Sequence, residues 1–216
     1  MTSSGSIGLV FKKMKSLSEI ETTAKRASKA AGFSWGESEE IGKCIRQLEM
    51  FGLPGIKHLN SYFNDKEKNT YENLRLIKES NFSSSNKYCP IILGIGFLDQ
   101  IKTVENYEKI YISNIAYPII FISFLSKSSE IIGKKINVKI DEKEILLNLN
   151  VNIYSNFLNV EFPKNSKNLD INFIENKDNF NEEEWKSLYR LSENTFVEET
   201  DSLKKGAAGA GLTDND

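Results

Sequence analysis

The sequence predicts an α+β fold: an N-terminal helical layer packed on an antiparallel β-sheet, with a C-terminal helix and a Gly-rich tail. Three observations predict it. Residues 16–80 carry capped apolar stripes at helical spacing. Residues 88–175 turn to β-branched and aromatic side chains, much of it in strict alternation. Residues 181–197 return to helical spacing behind an asparagine cap.

The first helix is expected from Ser16 to Ala31. Ser16 and Glu19 have capping-box spacing, and Leu17, Ile20, Ala24, Ala27 and Ala31 form a narrow apolar stripe. Alanine on that stripe allows a neighbouring backbone to approach closely. A second helix starts at Ser34 with Glu37 three residues on; Ile41, Cys44, Ile45 and Leu48 form its buried face, and Gly52 ends it. The short link makes the two an αα-hairpin. A shorter helix is expected over Gly55–Phe63 and a fourth over Asn69–Glu79, with Tyr71, Leu74 and Ile77 on one face. Ser80–Asn86 reads as a polar loop.

The continuous apolar run Ile91–Phe97 reads as a buried strand, as do Lys109–Ile112 and Tyr117–Leu125. Ile136, Val138 and Ile140 alternate, and so do Leu147 through Ile153, Leu158 through Phe162, and Leu169 through Phe173. Such strands describe a sheet with one wet face. In the last helix, Trp185, Leu188, Leu191, Thr195 and Phe196 are expected to face the core. The domain is expected to span residues 16–205, with a leader over 1–15 and a tail over 206–216. Met14 could equally serve as the start.

Composition excludes some classes. At 216 residues the chain can bury a sizeable core without staples. A net charge of −2 gives no electrostatic reason to expect nucleic acid or an anionic membrane. The second helix of the hairpin would present Glu37, Glu39 and Glu40 to phosphates, which argues against helix-turn-helix DNA binding. The longest apolar run, Ile115–Leu125, is about half a membrane span. Two cysteines, Cys44 and Cys89, suit a reducing compartment as buried small hydrophobes, and with one histidine a zinc site is not expected. The expected location is the cytoplasm. The heavy use of lysine, asparagine and isoleucine reads as genome bias and weakens arguments from charge runs.

The hairpin, with Gly32, Phe33, Ser34, Trp35 and Gly36 between its helices, and the tail from Gly206 through Gly209 and Gly211 to Asp214 and Asp216 together resemble an uncharacterised bacterial family. It is known only as a domain of unknown function, with a Gly-x-x-Trp-Gly helix start and a Gly/Ala tail closing on Asp-Asn-Asp. The resemblance carries no activity with it and leaves any cofactor unknown.

Each candidate site has a bland account beside it. The tail glycines Gly209 and Gly211 leave a backbone that could lie against a ligand, with Asp214 or Asp216 meeting a cation; the plain alternative is a loose terminus. Trp35 stands at a helix start that could hold an anion, but Glu37, Glu39 and Glu40 already supply negative charge there, so a hydrophobic staple by Phe33 or Trp35 explains it better. Glu40 could act as an acid–base or ligand residue if buried; a solvated helix face is the simpler account. His58 could be a general base, or a surface or half-buried structural residue. The pair Gly94 and Gly96 could admit a ligand or another backbone, or mark a bulge. Two functions follow as expectations. One is a small-molecule enzyme or ligand-binding protein of bacterial metabolism, with the tail folded over a pocket between helices and sheet. The other is an accessory protein whose tail docks into a partner. The sequence names no substrate and no reaction.

Overall fold

A computed structural model of the chain describes residues 14–155 and 161–196. It divides into two compact units, one ending at Asn176 and one beginning at Lys177.

The first unit opens with three helices, α1 (Leu17–Ala30), α2 (Trp35–Met50) and α3 (Gly55–Lys66). Their starts follow the caps read from the sequence. The Ser16 hydroxyl accepts from the Glu19 amide, though Glu19 itself turns to Lys15, so that box is half-built. At α2 the box is complete: Glu37 N–H donates to Ser34 Oγ at 3.2 Å, and Ser34 N–H donates to Glu37 Oε2 at 2.9 Å. The close crossing of α1 and α2 is made by glycine, not alanine. A Cβ at Gly42 would lie 2.8 Å from the Glu21 carbonyl oxygen.

Residues 69–79 do not form the expected fourth helix. The segment is extended, bridging to Tyr88 through Glu72, and leads into the two-residue strand β1 (Ser80–Asn81). Side-chain hydrogen bonds hold it. Ile77 N–H donates to Gln100 Oε1, and the Gln100 amide nitrogen donates to the Arg75 and Gly96 carbonyls.

The runs read as buried strands over Ile91–Phe97 and Tyr117–Leu125 are helices: α4 (Pro90–Val104) and α5 (Pro118–Ile132). Both begin with proline, whose fixed φ and missing N–H suit a first helical turn. In α5, Ile119, Ile120, Phe121, Ile122, Phe124 and Leu125 are all fully buried. A helix that is apolar on every side is enclosed on every side. Here α2 and α3 cover one side of α5, α4 another, and strands β3 and β4 a third. The helical layer therefore rests on α5, which in turn rests on the sheet. Gly94 is neither strand nor bulge: a Cβ there would overlap the Phe124 ring, so glycine sets the α4–α5 distance.

The remaining strands are β2 (Lys109–Ala116), β3 (Lys135–Ile140), β4 (Lys143–Asn148), β5 (Asn152–Ser155) and β6 (Asn165–Ile174). The sheet order is β1-β2-β6-β3-β4-β5, antiparallel except for β1 on β2. Both β2 and β3 run antiparallel to β6, so they run parallel to each other, and α5 carries the chain across between them. The alternation from Leu147 to Ile153 is broken into two strands by a turn at Leu149 and Asn150, both with positive φ. Inner positions such as Ile110, Ile112, Val138, Ile140, Leu169 and Ile171 are buried. The other face carries Lys109, Tyr111, Asn137, Lys139 and Asp170 and is wet, as the alternation predicts. The strand expected around Leu158 falls partly outside the described residues; Phe162 lies in a coil segment and is buried.

The second unit contains α6 (Glu182–Glu193), capped by Asn181 in a complete box with Glu184. Its apolar side chains do not face a core. Trp185, Leu188, Leu191 and Phe196 are exposed, as is Thr195, and Trp185 stacks on Phe180 at 5.6 Å.

Candidate functional site

Two hollows flank α3. The first is an apolar groove of about 440 Å³ between α1, α2 and α3. Its wall is Ile20, Ala24, Ala27, Ile45, Leu59 and Phe63, with Thr23 and Ile56 beside them and Lys15, Glu19, Lys57 and Asn60 at the polar positions. The groove exists because the α1 stripe uses small residues: Ala27 is part of that stripe yet remains exposed. Ile56 is 46% exposed on the facing helix, an apolar side chain without a cover. Size and lining match the usual small-molecule site, about 300–1,000 Å³, mostly apolar, with few polar groups.

The second hollow, about 310 Å³, lies on the other side of α3 against residues 161–164. Lys57, His58, Ser61, Glu161, Phe162 and Lys164 line it. His58 is buried, 3% exposed, which corrects the surface or half-buried expectation. Tyr117 and Phe162 meet its ring edge-on at 5.9 and 6.3 Å. Neither ring nitrogen has a hydrogen-bond partner among the described residues. A buried polar group left so costs about 1–3 kcal/mol. Burial holds the imidazole below its ordinary pKa, and Lys57 and Lys164 push the same way against Glu161, so the ring is neutral near pH 7.

Behind His58 lies a connected aromatic cluster. Tyr117 joins β2 to α5 with φ 46 and ψ 57, a left-handed conformation costing about 1–3 kcal/mol in a non-glycine residue. It is fixed there by its N–H donating to the Lys164 carbonyl at 2.7 Å and its hydroxyl donating to Asp65. Burial and Asp65 together raise the Tyr117 phenol above its usual range. Tyr62 meets Tyr117 edge-on at 5.8 Å, stacks on Tyr71 at 5.3 Å, and shares a 3.0 Å hydrogen bond with Cys89 Sγ. Burial raises both the Tyr62 phenol and the Cys89 thiol, so neither ionises near neutral pH. Cys44 behaves alike, its thiol pushed up to about 12 by burial. The two cysteines are free and buried, as their sequence context suggests.

The residues singled out by sequence lie elsewhere. Trp35 is 60% exposed on the first turn of α2, with Lys29 Nζ 5.4 Å above its ring. It staples nothing. Phe33 is the buried member, packed on Phe63 at 6.3 Å with Lys66 Nζ over its face. Glu40 is half-buried; burial alone would raise its pKa, but the ion pairs with Lys127 and Lys43 outweigh that and lower it. Neither Trp35 nor Glu40 lines the groove. Gly209, Gly211, Asp214 and Asp216 lie outside the described residues. Gly96, in α4, admits the Arg75 backbone. An anion-binding nest does exist, at Ser84–Asn86, but its amides already bind the chain's own Glu72, whose carboxyl the Ser84 hydroxyl and these amides hold down at about 2. The residues that reading by sequence missed are Thr23, Ala27, Ile56 and Tyr117. The alanines on α1 are the available signal for Ala27.

What these elements define is an α+β domain whose helical layer is hollowed on both sides of its third helix. Within it, residues 15–88 match the model of a family described as a protein of unknown function (DUF3726). That stretch contains every residue lining the apolar groove, together with His58 and Ser61 of the second hollow, and stops short of the Gly/Ala tail. No curated protein and no solved structure matches the chain.

Proposed function

We propose that the protein binds a small apolar molecule in the groove between α1, α2 and α3. The observation that carries this reading is the groove itself: about 440 Å³ of hollow with aliphatic and aromatic walls. For scale, a cavity of about 150 Å³ lined by such side chains accepts a benzene ring. The ligand is an aliphatic or aromatic hydrocarbon group of several times that volume, oriented by Lys57, Asn60 or Lys15 at the rim. On this reading the protein is a binding protein of bacterial metabolism, working in the cytoplasm. No helix among the described residues is long and apolar enough to cross a membrane.

The test is calorimetric titration with medium-chain alcohols. Saturable binding is expected in the wild type and is lost in Ala27→Trp, which fills the groove from an exposed position. A contribution of the tail residues Gly209, Gly211, Asp214 and Asp216 to ligand affinity belongs to the same proposal; deleting residues 206–216 then weakens binding without unfolding the protein. Trp35 and Glu40 stay outside the ligand's reach on this reading.

A second reading rests on α6. Its exposed Trp185, Leu188 and Tyr189 form an apolar face on an otherwise acidic helix, which supports an accessory role with a protein partner.

A further inference from the structure

The second hollow asks for an explanation of its own, because the groove reading makes no use of it. His58 is buried, lines the hollow, and offers two ring nitrogens that nothing among the described residues engages. Polar groups in such positions are nearly always satisfied by protein, water or ligand. The surroundings say what kind of ligand. Lys57 and Lys164 bring two ammonium groups to the rim, and Glu161 brings one carboxylate, bound to Lys57 at 2.6 Å. Lys164 has no ion pair among the described residues; its carbonyl is spent on the Tyr117 N–H. The Ser61 hydroxyl adds a further hydrogen-bonding group. Phe162 and Tyr117 supply flat apolar walls around the imidazole. The strained Tyr117 backbone and its hydroxyl bond to Asp65 fix the ring that backs the imidazole.

We propose that this hollow is a binding site for a small carboxylate, with His58 donating a ring N–H to one carboxylate oxygen and Lys164 pairing with its charge. The net positive rim favours a monoanion, and about 310 Å³ admits a molecule of a few carbon atoms beyond the carboxylate. Binding draws a proton to the site. The free imidazole is held neutral by burial and by Lys57 and Lys164. An anion placed beside it favours the charged form. Glu161 already acts in that direction, while Asp65 faces the phenol of Tyr117 and not the ring. Carboxylate affinity therefore strengthens as the pH falls from neutrality toward the ordinary imidazole range.

The chain contains one histidine, so its ring C–H resonance in a proton NMR spectrum reports on this site without assignment. The experiment titrates the full-length protein with acetate, lactate and benzoate, with chloride at matched ionic strength as the control. The expected result is a saturable shift of the histidine resonance and a higher titration midpoint with at least one carboxylate, and neither with chloride. Medium-chain alcohols leave the resonance in place, which separates this site from the groove. Lys164→Met weakens the carboxylate effect several-fold. His58→Leu abolishes carboxylate-induced thermal stabilisation while raising the Tm of the free protein, because it removes unpaired polar atoms. A lowered Tm in His58→Leu overturns the proposal, since the imidazole then serves a structural partner. So does a resonance that no carboxylate moves beyond chloride, the result expected if water alone satisfies the ring. A response to inorganic phosphate without one to carboxylates overturns the ligand class.

Discussion

The two hollows beside α3 are of similar size and opposite character. The groove on the α1 side is apolar and owes its shape to what is missing: small side chains at Ala24 and Ala27 where larger ones would close the helices. The hollow on the far side is polar and owes its interest to what is present, a buried imidazole without partners and a tyrosine held in a strained conformation. An empty apolar groove costs the fold only forgone contacts. An unpaired buried histidine carries a desolvation penalty in every molecule that lacks a ligand. The first can persist for no functional reason; the second needs one.

Mutations distinguish the two hollows. The largest effect is expected at Leu59, 5% exposed and shared between the groove wall and the core. Leu59→Ala should cost about 2–5 kcal/mol in denaturant unfolding. Next, His58→Leu should stabilise the free protein by about 1–3 kcal/mol. The sign of its pH dependence follows from the lowered pKa. Between the ordinary value of 6.5 and the lower folded value, the unfolded chain binds a proton that the folded one does not, so stability falls as the pH drops through that window. Thermal melts of wild type should show that loss below pH 6.5, and His58→Leu should not. Tyr117→Phe is expected to cost about 1 kcal/mol, the hydroxyl's bond to half-exposed Asp65, and to leave the groove unaffected. Ala27→Trp comes last, within about 0.5 kcal/mol of wild type, as befits an exposed position.

Features set by local chemistry are legible in the sequence. Ser34 and Glu37 announce the start of α2, and Asn181 with Glu184 that of α6. The alternation of Ile136, Val138 and Ile140 gives both the strand and its wet face. Helices α4 and α5 were not legible as helices, because a segment buried on all sides shows no period, and an apolar run of that length fits a strand as well as an enclosed helix. Residues 69–79 misled in the opposite way. Tyr71, Leu74 and Ile77 have helical spacing, yet Gln100 and the Glu72 loop hold that backbone extended, a decision made by side chains far along the chain. The apolar face of α6 is legible in the sequence as a face, but periodicity shows that a stripe exists and not what covers it. His58 was visible only as a lone imidazole; its burial depends on Tyr117 and Phe162, which are distant in sequence.

The α1–α3 groove is either a ligand site, as proposed, or a packing defect. Calorimetric titration of wild type and Ala27→Trp with a medium-chain alcohol, both proteins first shown by circular dichroism to be folded, separates the two most directly. The expected result is saturable, one-to-one binding by the wild type and none by the variant. Equal binding by both, or no binding of any aliphatic or aromatic probe by the wild type, would contradict the ligand site.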